Sequence, residues 1–110
     1  MLPKKIATTI RELAEDKKAE DVLILDVKKQ SSFAHYFIIT HGNTERHVTA
    51  IAENIASEMK KKGEPAWQVE GLRESKWVLL DFGSVVVHVF LKDIREFYAL
   101  ERLWGDAKRI

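Results

Sequence analysis

Apolar positions along this chain change period several times, and each change marks an element. Ile6, Ile10, Leu13 and Ala14 recur at helical spacing, while Lys4, Arg11, Glu12 and Asp16 fall on the other faces. With Pro3 suited to a first turn, the pattern predicts a helix over roughly residues 3–18. Val22-Leu23-Ile24-Leu25 is fully apolar and partly β-branched, as expected of a short buried strand ending at Asp26. The polar stretch from Lys28 to Ser32 reads as a loop, and Tyr36-Phe37-Ile38-Ile39-Thr40 as a second strand. His41-Gly42-Asn43-Thr44 breaks that strand, and Asn43 or Thr44 can cap the next helix by accepting its free amide hydrogens. Val48, Ile51, Ala52, Ile55 and Met59 carry this helix to about Lys61, with Gly63 placed just past its end. After Pro65, Trp67 and Val69 alternate with Ala66, Gln68 and Glu70. That half-polar pattern suits an outer strand.

The stretch from Trp77 to Phe90 has the highest apolar density, with ten apolar residues in fourteen. It predicts two buried strands, 77–81 and 85–90, which must run antiparallel because the Asp81–Ser84 turn is too short for a crossover. The strand–helix–strand run from Tyr36 to Glu70 predicts a right-handed crossover between parallel strands. A last helix is expected from about Asp93 to Trp104, with Ile94, Phe97, Leu100 and Trp104 toward the core and Gly105 ending it. The expected fold is α/β, with a mixed five-stranded sheet flanked by helices on both faces, in the order α-β-β-α-β-β-β-α. No repeat, linker or low-complexity segment divides residues 1–110, so one domain is expected.

Composition narrows the classes. The chain has 110 residues, 45% apolar and 32% charged, and no cysteine. That removes disulfides, thiolate nucleophiles and cysteine-ligated zinc together. No stretch approaches the ~20 apolar residues needed to cross a bilayer, and no signal peptide is visible, so a soluble cytoplasmic protein is expected. The net charge of +1, from 18 basic and 17 acidic residues, does not describe a domain living on phosphate contacts. The dense basic run Lys60-Lys61-Lys62 falls where a helix ends, and lysines there complement the helix dipole. Little direct nucleic-acid binding is expected.

The candidate chemistry is sparse. Asp81-Phe82-Gly83 repeats a kinase tripeptide, but the glycine-rich and catalytic loops of a kinase are missing, and a tight turn using Gly83 explains it. His35, His41 and His47 are six residues apart, which is not a metal-ligand spacing on a helix, and no metal or other cofactor is called for. Gly42-Asn43-Thr44 leads into a helix N-terminus, where backbone amides can hold a phosphate or simply be capped. Asp81 and His88 are polar groups in apolar surroundings. His88 shares a strand face with Val86 and Phe90, so a neutral, hydrogen-bonded ring is expected. Phosphoryl or nucleotidyl transfer needs two or three carboxylates converging on cations, and Asp26 and Asp81 each stand alone. The C-terminal third differs in kind. Trp77, Phe97, Tyr98 and Trp104 occur among Glu70, Arg73, Asp81, Arg95, Glu96 and Glu101, and aromatics with a polar rim describe a protein-recognition surface.

Several segments in order resemble the Iojap-type ribosomal silencing factors of bacteria and organelles. They are Tyr36-Phe37-Ile38-Ile39 with Gly42 and the helix from Thr44, Glu70-Gly71, Trp77 to Gly83, Val87-His88-Val89-Phe90, and Arg95 to Trp104. Two positions depart from the family pattern. His35 stands where that family usually has aspartate, so no role passes to it. Thr40 to Thr44 replaces a common Ala-Thr-Gly-x-Ser. The resemblance implies a nucleotidyltransferase-like α/β fold without the carboxylate set, and a non-enzymatic translational repressor. It further implies binding to the large ribosomal subunit at its protein fourteen, on the subunit-joining face, which would block the small subunit when nutrients are short. Dimers are common in such families, and a homodimer is an open possibility. The expected contact region is Glu70, Trp77, Asp81, Tyr98, Glu101 and Trp104, with the acidic groups meeting a basic ribosomal protein. Charge reversal at Glu101 is expected to weaken that contact without unfolding. The alternative is a small nucleotide-handling enzyme using Gly42 to Thr44 for phosphate and Asp81 for a metal.

Overall fold

A computed structural model describes residues 1–110. Helix α1 (Pro3–Asp16) leads to strands β1 (Glu20–Asp26) and β2 (Tyr36–Gly42), then helix α2 (Glu45–Lys61). Strands β3 (Gln68–Glu70), β4 (Trp77–Asp81) and β5 (Val85–Leu91) follow. Helices α3 (Lys92–Tyr98) and α4 (Leu100–Leu103) and strand β6 (Lys108–Arg109) complete the chain. Pro3 occupies the first turn of α1, and the Thr44 hydroxyl caps α2 by accepting the His47 amide hydrogen at 3.0 Å. Gly63, at φ +83°, lies just past α2. These three local signals act as the sequence predicts.

The sheet order is β3-β4-β5-β2-β1-β6. It is mixed, as expected, but has six strands instead of five. The addition is β6, which pairs antiparallel with β1 through Leu25–Arg109 and Asp26–Lys108. A Lys-Arg pair carries no alternation, so periodicity could not reveal it. The Tyr36 to Glu70 crossover is also corrected in detail. β3 runs in the same sense as β2, but β4 and β5 lie between them. The strand hydrogen-bonded in parallel to β2 is β5, in register from Tyr36–Val85 to Gly42–Leu91. β5 takes this central place because Val85 to Phe90 are buried on both faces, which only an inner strand satisfies.

One face of the sheet is covered by α1 and α2. Ile6, Ile10 and Leu13 meet Val48, Ile51, Ile55 and Met59 over Ile24, Ile38, Val78, Leu80, Val87 and Val89. Each such side chain contributes about 1.5–3 kcal/mol on burial, so this layer anchors the fold. The other face holds Leu25, Phe37, Ile39, Val86 and Phe90, under Ile94, Leu100, Trp104 and Ala107. Its cover is thinner because the expected 93–104 helix is broken. Ala99 adopts the left-handed conformation (φ 45°, ψ 49°), separating α3 from α4. The turn brings Leu100 and Trp104 back over the sheet, but it leaves Phe97 80% exposed rather than in the core.

Candidate recognition face

Alternation along β4 puts Trp77, Leu79 and Asp81 on the thinly covered face. Residues directly opposite in an antiparallel pair share a face. Gln68 and Glu70 therefore lie there with their partners Asp81 and Leu79, as do Val86, His88 and Phe90 opposite Asp81, Leu79 and Trp77. Trp77 packs against Phe90 at 4.8 Å and against the 53%-exposed Tyr98 at 5.1 Å. Trp104 meets Phe37 edge-on at 4.9 Å. Glu70 is exposed on the edge strand, its carboxylate accepting from Gln68 Nε2 at 2.6 Å. Five of the six residues singled out in the sequence thus gather on one side of the sheet.

Glu101 is turned differently. Its Oε1 accepts from Arg95 Nε at 3.2 Å, and its Oε2 is buried without a partner. Arg95 is only 5% exposed and joins four segments of chain. Its Nη1 donates to the Asp21 carbonyl and to His41 Nδ1, both at 2.9 Å, and its Nη2 lies 3.5 Å from the Asp21 carboxylate. His41 faces Glu20 on its other side, Nε2 to Oε2 at 3.3 Å. Burial, and then the neighbouring guanidinium, lowers the His41 pKa, so the ring stays neutral and can accept from Arg95. The hydrogen bond from Asn43, supported by His41 and the Lys92 charge, outweighs desolvation and lowers that of Glu20. Charge reversal at Glu101 would break this cluster as well as alter the surface.

Asp81 and His88 do not form a pair. The Asp81 Oδ1 accepts the Gly83 amide hydrogen at 2.8 Å, tying the turn in which Gly83 takes φ +83°. His88 Nδ1 accepts from the Trp77 indole Nε1 at 3.1 Å. An indole N–H can only donate, so Nδ1 carries no proton and the neutral ring holds its hydrogen on Nε2. Burial pushes the His88 pKa down to about 4, which keeps the ring neutral. Nε2 has no partner inside the molecule, a deficit of about 1–3 kcal/mol for a buried polar group.

The mouth of α2 is filled by the chain itself. His47 lies against Gly42, where an added Cβ would come 3.0 Å from its ring. Its Nδ1 accepts from the Asn43 amide at 3.2 Å, and its Nε2 contacts the Lys17 carbonyl at 2.7 Å. The Asn43 and His47 amides, which could otherwise face a phosphate, are already engaged. His35 is exposed, so the three histidines of the 35–47 stretch serve three separate settings.

Sequence reasoning missed two residues on the recognition face. Phe33 and Leu103 are 71% and 77% exposed, and they form the lip of a groove of about 370 Å³ that includes Phe37, His88 and Trp104. Phe33 gave a faint signal as a lone aromatic in a polar loop. Leu103 was hidden by the assumption of a continuous last helix.

An open mixed α/β sheet with one helix-covered face, one aromatic face and a self-capped helix mouth describes a recognition domain better than a nucleotide-handling one. The comparisons with known proteins agree. Residues 2–110 match the family model "Ribosomal silencing factor during starvation". The ribosomal silencing factor RsfS of Bacillus subtilis is 47% identical over 107 residues, covering 97% of this chain and 91% of that protein. A crystal structure of a Chromobacterium violaceum protein superposes with a TM-score of 0.93 at 36% identity, covering 96% of this chain and 88% of that one. The mouse protein named "Mitochondrial assembly of ribosomal large subunit protein 1" is 32% identical over 95 residues, 84% of this chain and 42% of that protein. This chain belongs to the ribosomal silencing factor family, whose members are regulators and not enzymes.

Proposed function

We propose that this protein binds the large ribosomal subunit at its protein fourteen, on the subunit-joining face, and sterically prevents the small subunit from docking. Translation is thereby silenced under nutrient limitation, in the cytoplasm, with residues 1–110 acting as a single unit. The observation that carries this reading is the shared face of Glu70, Trp77, Asp81, Tyr98 and Trp104 on a ribosomal silencing factor fold. Half-exposed aromatics beside unpaired carboxylates suit a basic protein partner, because the rings supply buried area and the charges supply register. The large-subunit name of the mouse relative supports the choice of subunit. In the free protein a second copy can cover the same aromatics, giving a homodimer. No helix is long and apolar enough to cross a membrane.

The test is sedimentation of purified large and small subunits with excess protein. Association should fail with the native chain, and Tyr98→Ala or Glu70→Lys should weaken large-subunit binding by about tenfold or more while circular dichroism stays unchanged. Tyr98 and Glu70 replace Glu101 as test positions because both are exposed. Undisturbed subunit joining at saturating protein would reject the function. Native-like binding by both variants would reject the face.

A further inference from the structure

The groove between the loop before β2 and helix α4 has apolar walls, including Phe37, Leu79 and Leu100, and an exposed lip of Phe33 and Leu103. Two polar groups reach it. One is His88, 6% exposed, whose neutral ring forms part of the wall while its Nε2 stays shut off from solvent. The other is Asp81, which has one oxygen on the Gly83 amide and no cation paired with it. No lysine or arginine lines the groove. An apolar cleft with one uncompensated anion has a definite complement. It is a bulky apolar side chain with a cation nearby.

We infer that the groove is a socket for an aromatic or branched aliphatic side chain on a basic segment of the protein partner. A lysine or arginine next to the inserted side chain meets Asp81. This rests on the docking reading above and names the chemistry by which the partner is held. The uncompensated Asp81 carboxylate, in a groove with no lysine or arginine of its own, selects a cationic segment as the occupant.

The inference is tested with purified large ribosomal subunits and two variants. Asp81→Asn keeps an acceptor for the Gly83 amide but removes the negative charge. Phe33→Ser with Leu103→Ser strips the lip at two exposed positions, where folding is not at stake. Each should weaken subunit binding by about tenfold, with urea midpoints confirming folded protein. Native affinity in the lip variant overturns the socket while leaving the wider docking reading intact. If the unmodified chain does not bind the subunit, the docking reading fails first and the socket with it. A lip variant that loses self-association in analytical ultracentrifugation but keeps full subunit affinity assigns the groove to a second copy and overturns the inference.

Discussion

Replacing Arg95 by methionine keeps a long apolar stem but removes the guanidinium that joins β1, β2, α3 and α4. Three hydrogen bonds disappear: to the Asp21 carbonyl and His41 Nδ1 at 2.9 Å each, and to Glu101 Oε1 at 3.2 Å. Asp21 is 77% exposed at its side chain and regains water, so its contribution is small. Glu101 is the expensive partner, because its second oxygen is already unpaired and the first would join it. Breaking one side of a buried ion pair costs about 3–5 kcal/mol, against a total stability of about 5–15 kcal/mol. Arg95→Met should therefore lower the melting temperature by roughly 20 °C and shift the urea midpoint without changing its slope. The His41 pKa, measured by NMR, should rise because the second of its two depressing causes has gone. Glu101→Gln should cost much less, since its amide oxygen can still accept, and the double variant should be less than additive. Stability of Arg95→Met within about 1 kcal/mol of the native chain would refute the idea that this cluster clamps the C-terminal helices to the sheet.

Three further outcomes are expected. His88 holds its pKa near 4 when folded, against 6.5 otherwise, so the unfolded chain binds the extra proton between those values. Stability should fall as pH drops through 6.5 and level off below 4, by about 3 kcal/mol from this ring, with His41 adding a loss of the same sign. Urea midpoints across pH 4–7 should show a shallower dependence in His88→Asn, and equal slopes would refute the assignment. Gly71 sits at φ +85°, and an added Cβ would lie 2.1 Å from the Trp77 carbonyl oxygen. Gly71→Ala should thus cost about 2–4 kcal/mol by thermal unfolding, with an unchanged melting temperature counting against the backbone geometry. Ala99→Gly relieves the left-handed position between α3 and α4, and chemical denaturation should show a gain of about 0.5–1 kcal/mol. A loss there would mean that Ala99 is not strained.

How far the sequence revealed this molecule depended on whether the signal was local. Thr44 as cap, Pro3 at a first turn and Gly83 in a tight turn each act within a few residues, and all were legible. The antiparallel β4–β5 pair followed from the length of one turn. The position of β5 beside β2 did not, because strand order across a sheet is set by distant burial that no window records. The break at Ala99 was invisible for a different reason. Alanine favours helix, and only the pull of Leu100 and Trp104 toward the Phe37 face overrides that preference. On the recognition face, strand alternation correctly grouped Trp77 with Asp81. Glu101 looked like a surface carboxylate because its partner, Arg95, is committed by contacts 54 and 74 residues away in sequence. His88 was rightly read as neutral, yet its free Nε2 could emerge only once Trp77 was seen to occupy the other nitrogen.

The parallel pairing of β2 with β5 also sets the order in which the protein can be made. Tyr36 pairs with Val85, 49 positions later, so the centre of the sheet is its least local part. A nascent chain emerges with β1, β2 and α2 long before the strand that completes them, leaving the β2 edge with its Phe37 and Ile39 open. The β4–β5 hairpin, by contrast, closes over a few residues and can form alone before docking. Pulse-labelled hydrogen exchange during refolding should find the β4–β5 amides protected ahead of the β2–β5 amides. Simultaneous protection would show that the sheet centre condenses in one step. In the sequential case, a factor that acts on ribosomes spends most of its own synthesis with its central seam unsewn.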